Sequence, residues 1–334
     1  IQRTRESNRF AAEGEARNVS NELDKRFRAI ETAAEAPELS AIVKRLTTND
    51  KISTYLSLLG ARDLPVPERE GLKFQFDRSD DRTELQQHLQ RLMTDPRLPP
   101  VASWFITDNR GTMLAAEFVQ EPKDRVIGDN FSYRTYFHGD GGLPDDATRM
   151  QAHEPLSETF LSTPFKSTAT QTYKVAISGP VRDDVDKVVG VMVMTFELGQ
   201  FVQFPTSNDL CAVLVDGRDN EFQGMIIQHP LYDELLEDFQ KLPKEIGISD
   251  PAYRADVDVL RSQTGPLSDQ SGEPTGREDL AARSTEFYQD PLSQNALGAK
   301  FAGDWIVSAA PVTFKRARGQ NQVEFDTGLL LLVQ

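Results

Sequence analysis

The sequence predicts an α+β chain: a long N-terminal helix followed by two antiparallel-sheet modules in tandem. Three observations carry this. An apolar stripe at helical spacing occupies residues 16–34, the period drops to that of strands and short polar turns after residue 100, and a strand pattern from the middle of the chain returns near its end. The length of 334 residues suits about two domains of ordinary size.

The elements follow in order. Ala16, Val19, Leu23, Phe27, Ile30 and Ala34 advance in steps of three and four and share one helix face, with Glu13, Arg17, Asn21, Lys25, Arg28 and Glu31 largely off it. Pro37 interrupts or ends this helix, and Leu39 to Leu46 resumes the apolar period. Leu59 to Phe76, with Gly60, Pro65, Pro67 and Gly71, is expected to be a loop. Asp81 to Met93 is a further helix with Leu85, Leu89 and Leu92 on one side and a stop at Thr94-Asp95-Pro96. Ala102 to Thr107 and Thr112 to Phe118 flank a polar turn as a hairpin, and strands follow at Tyr173 to Ser178 and Val188 to Phe196, with an exit at Pro180-Val181.

The repeat organises the rest. Ala176-Ile177-Ser178-Gly179-Pro180-Val181, a polar turn and Gly190-Val191-Met192-Val193-Met194 are echoed by Val307-Ser308-Ala309-Ala310-Pro311-Val312 and Gly328-Leu329-Leu330-Leu331-Leu332. Phe105-Ile106-Thr107-Asp108 before Gly111 likewise resembles Val213-Leu214-Val215-Asp216 before Gly217 and Gly224. The boundary between modules is expected near Pro205 to Leu210. The second module then holds an insertion at about 231–300, with a helical stripe at Tyr232, Leu235, Leu236 and Phe239, further acidic segments around Leu260 and Leu280, and a linker at residues 271–276.

Composition narrows the function. With 37 Lys and Arg against 52 Asp and Glu, the formal net charge is −15, which argues against nucleic acid as a partner because phosphate binding draws on clustered cations. A single cysteine, Cys211, excludes an internal disulfide framework. No run approaches the roughly 20 apolar residues that span a bilayer. The chain begins without Met and ends at Gln334 within an apolar run, so it is expected to be an excised piece of a longer protein.

Enzymatic patterns are weak. His88, His138, His153 and His229 are scattered and are expected in solvated loops, and no phosphate loop, Gly-x-Ser-x-Gly elbow or His-Glu-x-x-His is present. Cys211 opens an apolar strand, where a buried small hydrophobe is expected rather than a nucleophile. Asp145-Asp146 and Asp183-Asp184 belong to turns. The loop from Asp216 to Glu221 lacks the full pattern of a calcium site. The chain is expected to be no enzyme, with no catalytic residue, metal or cofactor.

The order of long helix, Trp104-Phe105-Ile106-Thr107-Asp108-x-x-Gly111 hairpin, Ile127-Gly128-Asp129-Asn130-Phe131-Ser132-Tyr133-Arg134-Thr135-Tyr136-Phe137, and Ser178-Gly179-Pro180-Val181 with the Gly190-Val191 strand resembles the double Cache (tandem PAS-like) sensor domains of bacterial membrane receptors. The resemblance implies residues 1–58 as the long helix packing on both modules, 59–204 as a membrane-distal, ligand-binding Cache module, and 205–334 as a membrane-proximal one. It implies an extracytoplasmic location, periplasmic or at the cell surface, on an inner-membrane protein. It also implies flanking membrane helices outside this chain, a homodimer, and a cytoplasmic output such as a histidine or serine/threonine kinase.

Amino-acid sensors of that family hold their ligand with a Tyr, an Arg-x-Trp-Tyr, a Tyr-x-Asp and an Asp after the Gly-Val strand. This sequence matches the Arg as Arg134 and has Tyr136 and Phe137 in the aromatic positions. It departs at Asp129, at Phe165-Lys166-Ser167 and at Thr195, so two ammonium-binding carboxylates are missing while Lys174 adds a cation. The implied ligand-binding set is Arg134, Tyr136, Phe137, Phe165, Ser167, Lys174, Thr195 and Asp129, and a small carboxylate suits it better than an α-amino acid. Each has a plainer reading. Arg134 caps a helix or pairs with Asp129, Tyr136 and Phe137 pack in a core, and the alternation around Lys174 allows an inward wall or the solvent face, of which solvent is favoured. The alternatives to a carboxylate sensor are a sensor for an amine or amino acid, for which Asp129 or Glu197 would serve, and a structural, dimerising module without a ligand.

Overall fold

The computed structural model describes residues 2–59, 65–141, 153–202, 204, 210–234, 251–262, 287–318 and 321–334. The chain divides into two compact units: Ile1–Leu23 with Leu198–Gln334, and Asp24–Glu197.

The N-terminal helix α1 spans Gln2–Ala34. The whole predicted stripe, together with Ala12, is buried, while Arg17, Asn21, Lys25 and Arg28 are exposed. Its residues belong to one unit up to Leu23 and to the other from Asp24. Helix α2 (Pro37–Thr48) opens on Pro37, where a missing N–H costs nothing, and buries Leu39, Ile42, Val43 and Leu46. Helix α3 (Asp50–Leu59) buries Ile52, Leu56 and Leu59.

One expectation fails next. The segment read as a loop contains helix α4 (Val66–Asp77), with Pro65 as N-cap and Pro67 in the first turn. Both prolines stand where a helix tolerates them, and the cost of Gly71 in its interior is met by burying Lys73 and Phe76. Helix α5 (Asp80–Thr94) follows as expected and buries Leu85 and Leu89.

In the unit of residues 24–197, β1 (Ser103–Asp108) and β2 (Met113–Phe118) form the expected hairpin. A one-turn helix α6 (Thr135–His138) precedes the short strands β3 (Phe160–Leu161) and β4 (Phe165–Lys166), and the long pair β5 (Tyr173–Arg182) and β6 (Val188–Glu197) completes the sheet. The strand order is β2-β1-β6-β5-β3, with β4 also on β5. Strand β5 runs on through Pro180-Val181, where an exit was expected. Pro180 pairs with Val191 on one side, while on the other β3 opposes only Ile177 and Ser178, so no ladder bond is lost.

The unit that holds residues 198–334 repeats this plan with β7 (Ala212–Asp216), β8 (Ile226–Gln228), β9 (Ser308–Arg318) and β10 (Asn321–Val333) in the order β8-β7-β10-β9. The two sheets therefore share the same connectivity, and their registers correspond. Asp108 opposes Gly190 and Pro180 opposes Val191 in one; Asp216 opposes Leu329 and Pro311 opposes Leu330 in the other. Both aspartates accept the backbone N–H two residues on, Asp108 Oδ1 from Arg110 at 2.9 Å and Asp216 Oδ1 from Arg218 at 3.0 Å. The sequence match of Gly190 to Gly328 is one residue off, because β10 is bulged between Asp326 and Leu330.

The boundary residues 205–209 lie outside the described residues, as do Leu235, Leu236, Phe239 and Leu280 of the expected insertion and its 271–276 linker. What is described there is a short helix at Pro230–Glu234, a second at Val257–Ser262 that buries Leu260, and 3₁₀ turns at Pro251–Tyr253, Pro291–Gln294 and Ala296–Phe301. Among the described residues no helix is long and apolar enough to cross a membrane.

Candidate functional site

Side chains alternate along a strand, so β1, β5 and β6 turn a polar row toward the same face. Ser103 opposes Thr195, Ala176 opposes Thr195 on the other side, and Lys174 opposes Glu197. Ser103 and Thr195 join their hydroxyls at 2.6 Å, and both are about 1 % exposed.

A small cavity of about 30 Å³ opens over this row. Its polar lining includes Ser103, Arg134, Ser167, Thr168, Lys174 and Thr195, and aromatic rings that include Phe105, Tyr136 and Phe165 wall it. At about 10–15 Å³ per water, it holds roughly two or three waters or an equivalent few-atom group. Tyr136 packs edge to face on Phe105 at 5.3 Å and tilted on Phe165 at 5.2 Å.

Two cations meet this space. Arg134 is the N-cap residue of α6 but uses no side-chain cap; its guanidinium donates to the Lys166 carbonyl at 3.1 Å and stacks 5.1 Å from Tyr133 and 5.3 Å from Phe165. Lys174, favoured as solvent-facing, is instead 1 % exposed. Burial pushes its ammonium below the ordinary lysine value, and the Glu197 carboxylate, 3.6 Å away, opposes that. Glu197 also accepts the Thr172 hydroxyl at 3.1 Å.

Of the eight predicted residues, Arg134, Tyr136, Phe165, Ser167, Lys174 and Thr195 line one cavity. Asp129 and Phe137 do not. Asp129 forms an ion pair with the buried Lys73 of α4 at 2.7 Å, while burial raises its carboxyl and Lys73 counters. With α4 read as a loop, this partner was invisible. Phe137 follows Tyr136 on a single helical turn, so the two rings point about 100° apart, and Phe137 is fully buried.

Ser103 and Phe105 on β1, Met113 and Phe118 on β2, and Val126, Phe131, Thr168 and Ala169 also line the cavity and were missed. Ser103 was within reach of sequence reasoning, since pairing the Ala102–Thr107 strand with the Gly-Val strand places it opposite Thr195.

The histidines divide. His138 and His153 stack at 4.5 Å with their rings 27° apart, but His88 and His229 are buried rather than solvated: His88 on α5 lies 3.3 Å from Glu38 of α2, and His229 lies 2.9 Å from Asp290. Cys211 is buried, and its thiol is pushed up to about 12, chiefly by burial, which makes it a poor nucleophile.

No family model and no curated protein matches the chain. Solved structures do. The ligand-binding domain of the Pseudomonas aeruginosa amino acid chemoreceptor PctB in complex with L-Gln is 16 % identical, covering 96 % of this chain and 86 % of that one at a TM-score of 0.41. That of the Pseudomonas fluorescens chemoreceptor CtaA with L-isoleucine is 12 % identical over 99 % and 92 %, at 0.43. The sensor domain of the V. cholerae histidine kinase DctB is 12 % identical over 97 % and 97 %, at 0.33. The chain resembles these sensor domains end to end, but at such scores the likeness bears on neither ligand nor residue roles. The long helix and the two sheets of equal strand order are themselves the tandem PAS-like arrangement that the sequence resembles.

Proposed function

We propose that this chain is the extracytoplasmic ligand-sensing domain of a bacterial membrane receptor, and that its 59–204 module binds a small carboxylate between Arg134 and Lys174. The observation that carries this is two cations from separate elements of one unit, Arg134 at the N-cap of α6 and Lys174 on β5, converging on a single cavity floored by the Ser103–Thr195 hydroxyl pair. A guanidinium takes a carboxylate bidentately, an ammonium adds a point charge, and hydroxyls complete the shell. The volume suits a carboxylate of roughly one to three carbons. The role is binding rather than catalysis. The ligand shifts the receptor between states only by the difference in its affinity for them.

An α-amino acid is less suited. Its ammonium would need a free carboxylate in the wall, and Glu197 is occupied by Lys174 and Thr172 while Asp129 faces Lys73.

A thermal-shift screen of short monocarboxylates, dicarboxylates, amino acids and amines tests the reading, with Arg134→Ala alongside. At 100 times its Kd a ligand of the folded state adds about 2.7 kcal/mol, which raises the Tm by a few degrees. The expected result is a monocarboxylate shift that vanishes in Arg134→Ala. An amino-acid shift indifferent to Arg134 contradicts it, and silence throughout favours a structural module without a ligand.

A further inference from the structure

We propose that the unit holding residues 198–334 carries a second binding site, around His229, Tyr288, Asp290 and Gln334, for a small ammonium or primary-amine cation. The repeat locates it. Counting back five residues from the paired aspartates, Ser103 of one module corresponds to Cys211 of the other; counting forward five from Gly190 and Leu329, Thr195 corresponds to Gln334. Cys211 and Gln334 are paired through both backbone hydrogen bonds, at 2.9 and 3.0 Å, and the Gln334 amide donates to Cys211 Sγ at 3.4 Å. The floor of the first cavity thus has a polar counterpart. His229 directly precedes the Pro230–Glu234 helix, as Arg134 directly precedes α6.

The chemistry is reversed in sign. Leu231 N–H donates to His229 Nδ1 at 2.9 Å, which leaves Nε2 to donate to Asp290 Oδ2 at 2.9 Å. Gln334 Nε2 donates to the same oxygen at 2.6 Å, and Leu292 N–H to Oδ1 at 2.9 Å. Burial raises the Asp290 carboxyl, but the His229, Gln334 and Leu292 partners hold it below its ordinary value, so it is a buried anion.

Two atoms of this cluster have no partner among the described residues: Tyr288 Oη and Gln334 Oε1, on side chains 4 % and 3 % exposed. Turning the Gln334 amide over does not help, since its oxygen would then face the Asp290 carboxylate. Burial, then Asp290, Cys211 and Asp256, push the Tyr288 hydroxyl well above its ordinary value, so it stays a neutral oxygen beside negative charge. An acceptor, a phenol oxygen and a carboxylate in one buried place call for N–H donors with positive charge. The Phe301 ring, which faces the Lys300 ammonium at 5.1 Å, lies 4.7 Å from the His229 ring, and the Tyr232 ring lies 6.1 Å from it. Hard metal ions want six or more oxygens, which this cluster does not offer.

The proposal does not depend on the carboxylate pocket. Calorimetric titration of the whole 334-residue protein with methylammonium chloride, against potassium chloride as control, tests it. Saturable binding of methylammonium is expected at concentrations up to about 10 mM. Tyr288→Phe, which removes one oxygen and keeps the ring, and Gln334→Met are expected to weaken it by about tenfold or more, and binding persists in Arg134→Ala. No saturable heat, equal affinity in Tyr288→Phe, or loss in Arg134→Ala overturns the proposal; so does a crystal structure grown in methylammonium that shows only water on Tyr288 Oη and Gln334 Oε1.

Discussion

Lys174 and Glu197 are a buried ion pair, 1 % and 4 % exposed, and each is held in place by what it would cost to leave the other alone. Lys174→Met strands a buried carboxylate and is expected to destabilise the protein by about 3 kcal/mol, whereas the double change with Glu197→Met recovers most of that. Urea unfolding of the three proteins checks this; a double variant as unstable as the single one contradicts it. Because the folded ammonium lies below the ordinary 10.5, the unfolded chain holds more protons between the two values and stability rises with pH there. Carboxylate affinity runs the other way. The proposed binding needs the charged form, so it is expected to weaken as pH rises through the folded value, before free lysine titrates.

His88 gives a second pH signature. Burial lowers it below 6.5, with Glu38 opposing and Arg91 assisting, so the unfolded chain takes up the proton first. The associated stability is present above 6.5 and is lost as pH falls toward the folded value. Unfolding measured between about pH 7.5 and 5.5 should therefore slope more steeply in the native protein than in His88→Gln.

At the scale of elements, two glycines separate packing from propensity. Gly14 lies inside α1, and a Cβ there would meet nothing within 4 Å, so Gly14→Ala should stabilise the protein by about 0.5–1 kcal/mol. Gly190 lies where β6 crosses β1, and a Cβ would collide with the Thr107 carbonyl oxygen, so Gly190→Ala must push two ladder-bonded strands apart. A cost of about 1–3 kcal/mol is expected. Thermal unfolding of both variants reads the opposite signs directly.

The elements that sequence reasoning found are those whose period is unbroken. The α1 stripe, the β1–β2 hairpin and the Gly-Val strand β6 bury the residues expected of them, and α5 buries Leu85 and Leu89 while Leu92 is half-buried. Helix α4 was hidden because its prolines and Gly71 resemble loop punctuation, and only the tertiary burial of Lys73 and Phe76 overrides them. The loss of α4 then misplaced Asp129. Lys174 was misjudged for a related reason: strand alternation offers two faces, and the buried Glu197 that makes the inner one tolerable is 23 residues away in sequence but directly opposite in the sheet.

At the scale of the molecule, one sheet plan carries two different sets of polar side chains. Between Ser103 and Thr195 in one module and between Cys211 and Gln334 in the other the backbone register is the same, while the surrounding charges change from Arg134 and Lys174 to Asp290. Hydrogen exchange should therefore tell the ligands apart. A carboxylate is expected to slow exchange in β1, β6 and the 165–174 segment and leave β7 and β10 unchanged, and methylammonium to do the reverse. Protection of both sheets by either ligand alone would contradict separate sites.

The central proposal is that Arg134 and Lys174 grip one carboxylate. Titration calorimetry with acetate or propionate on the native protein, Arg134→Ala and the Lys174→Met/Glu197→Met pair reads it directly. Saturable binding to the native protein that falls by about tenfold or more in each variant is the predicted result. Binding that survives both changes, or none to the native protein, would contradict it.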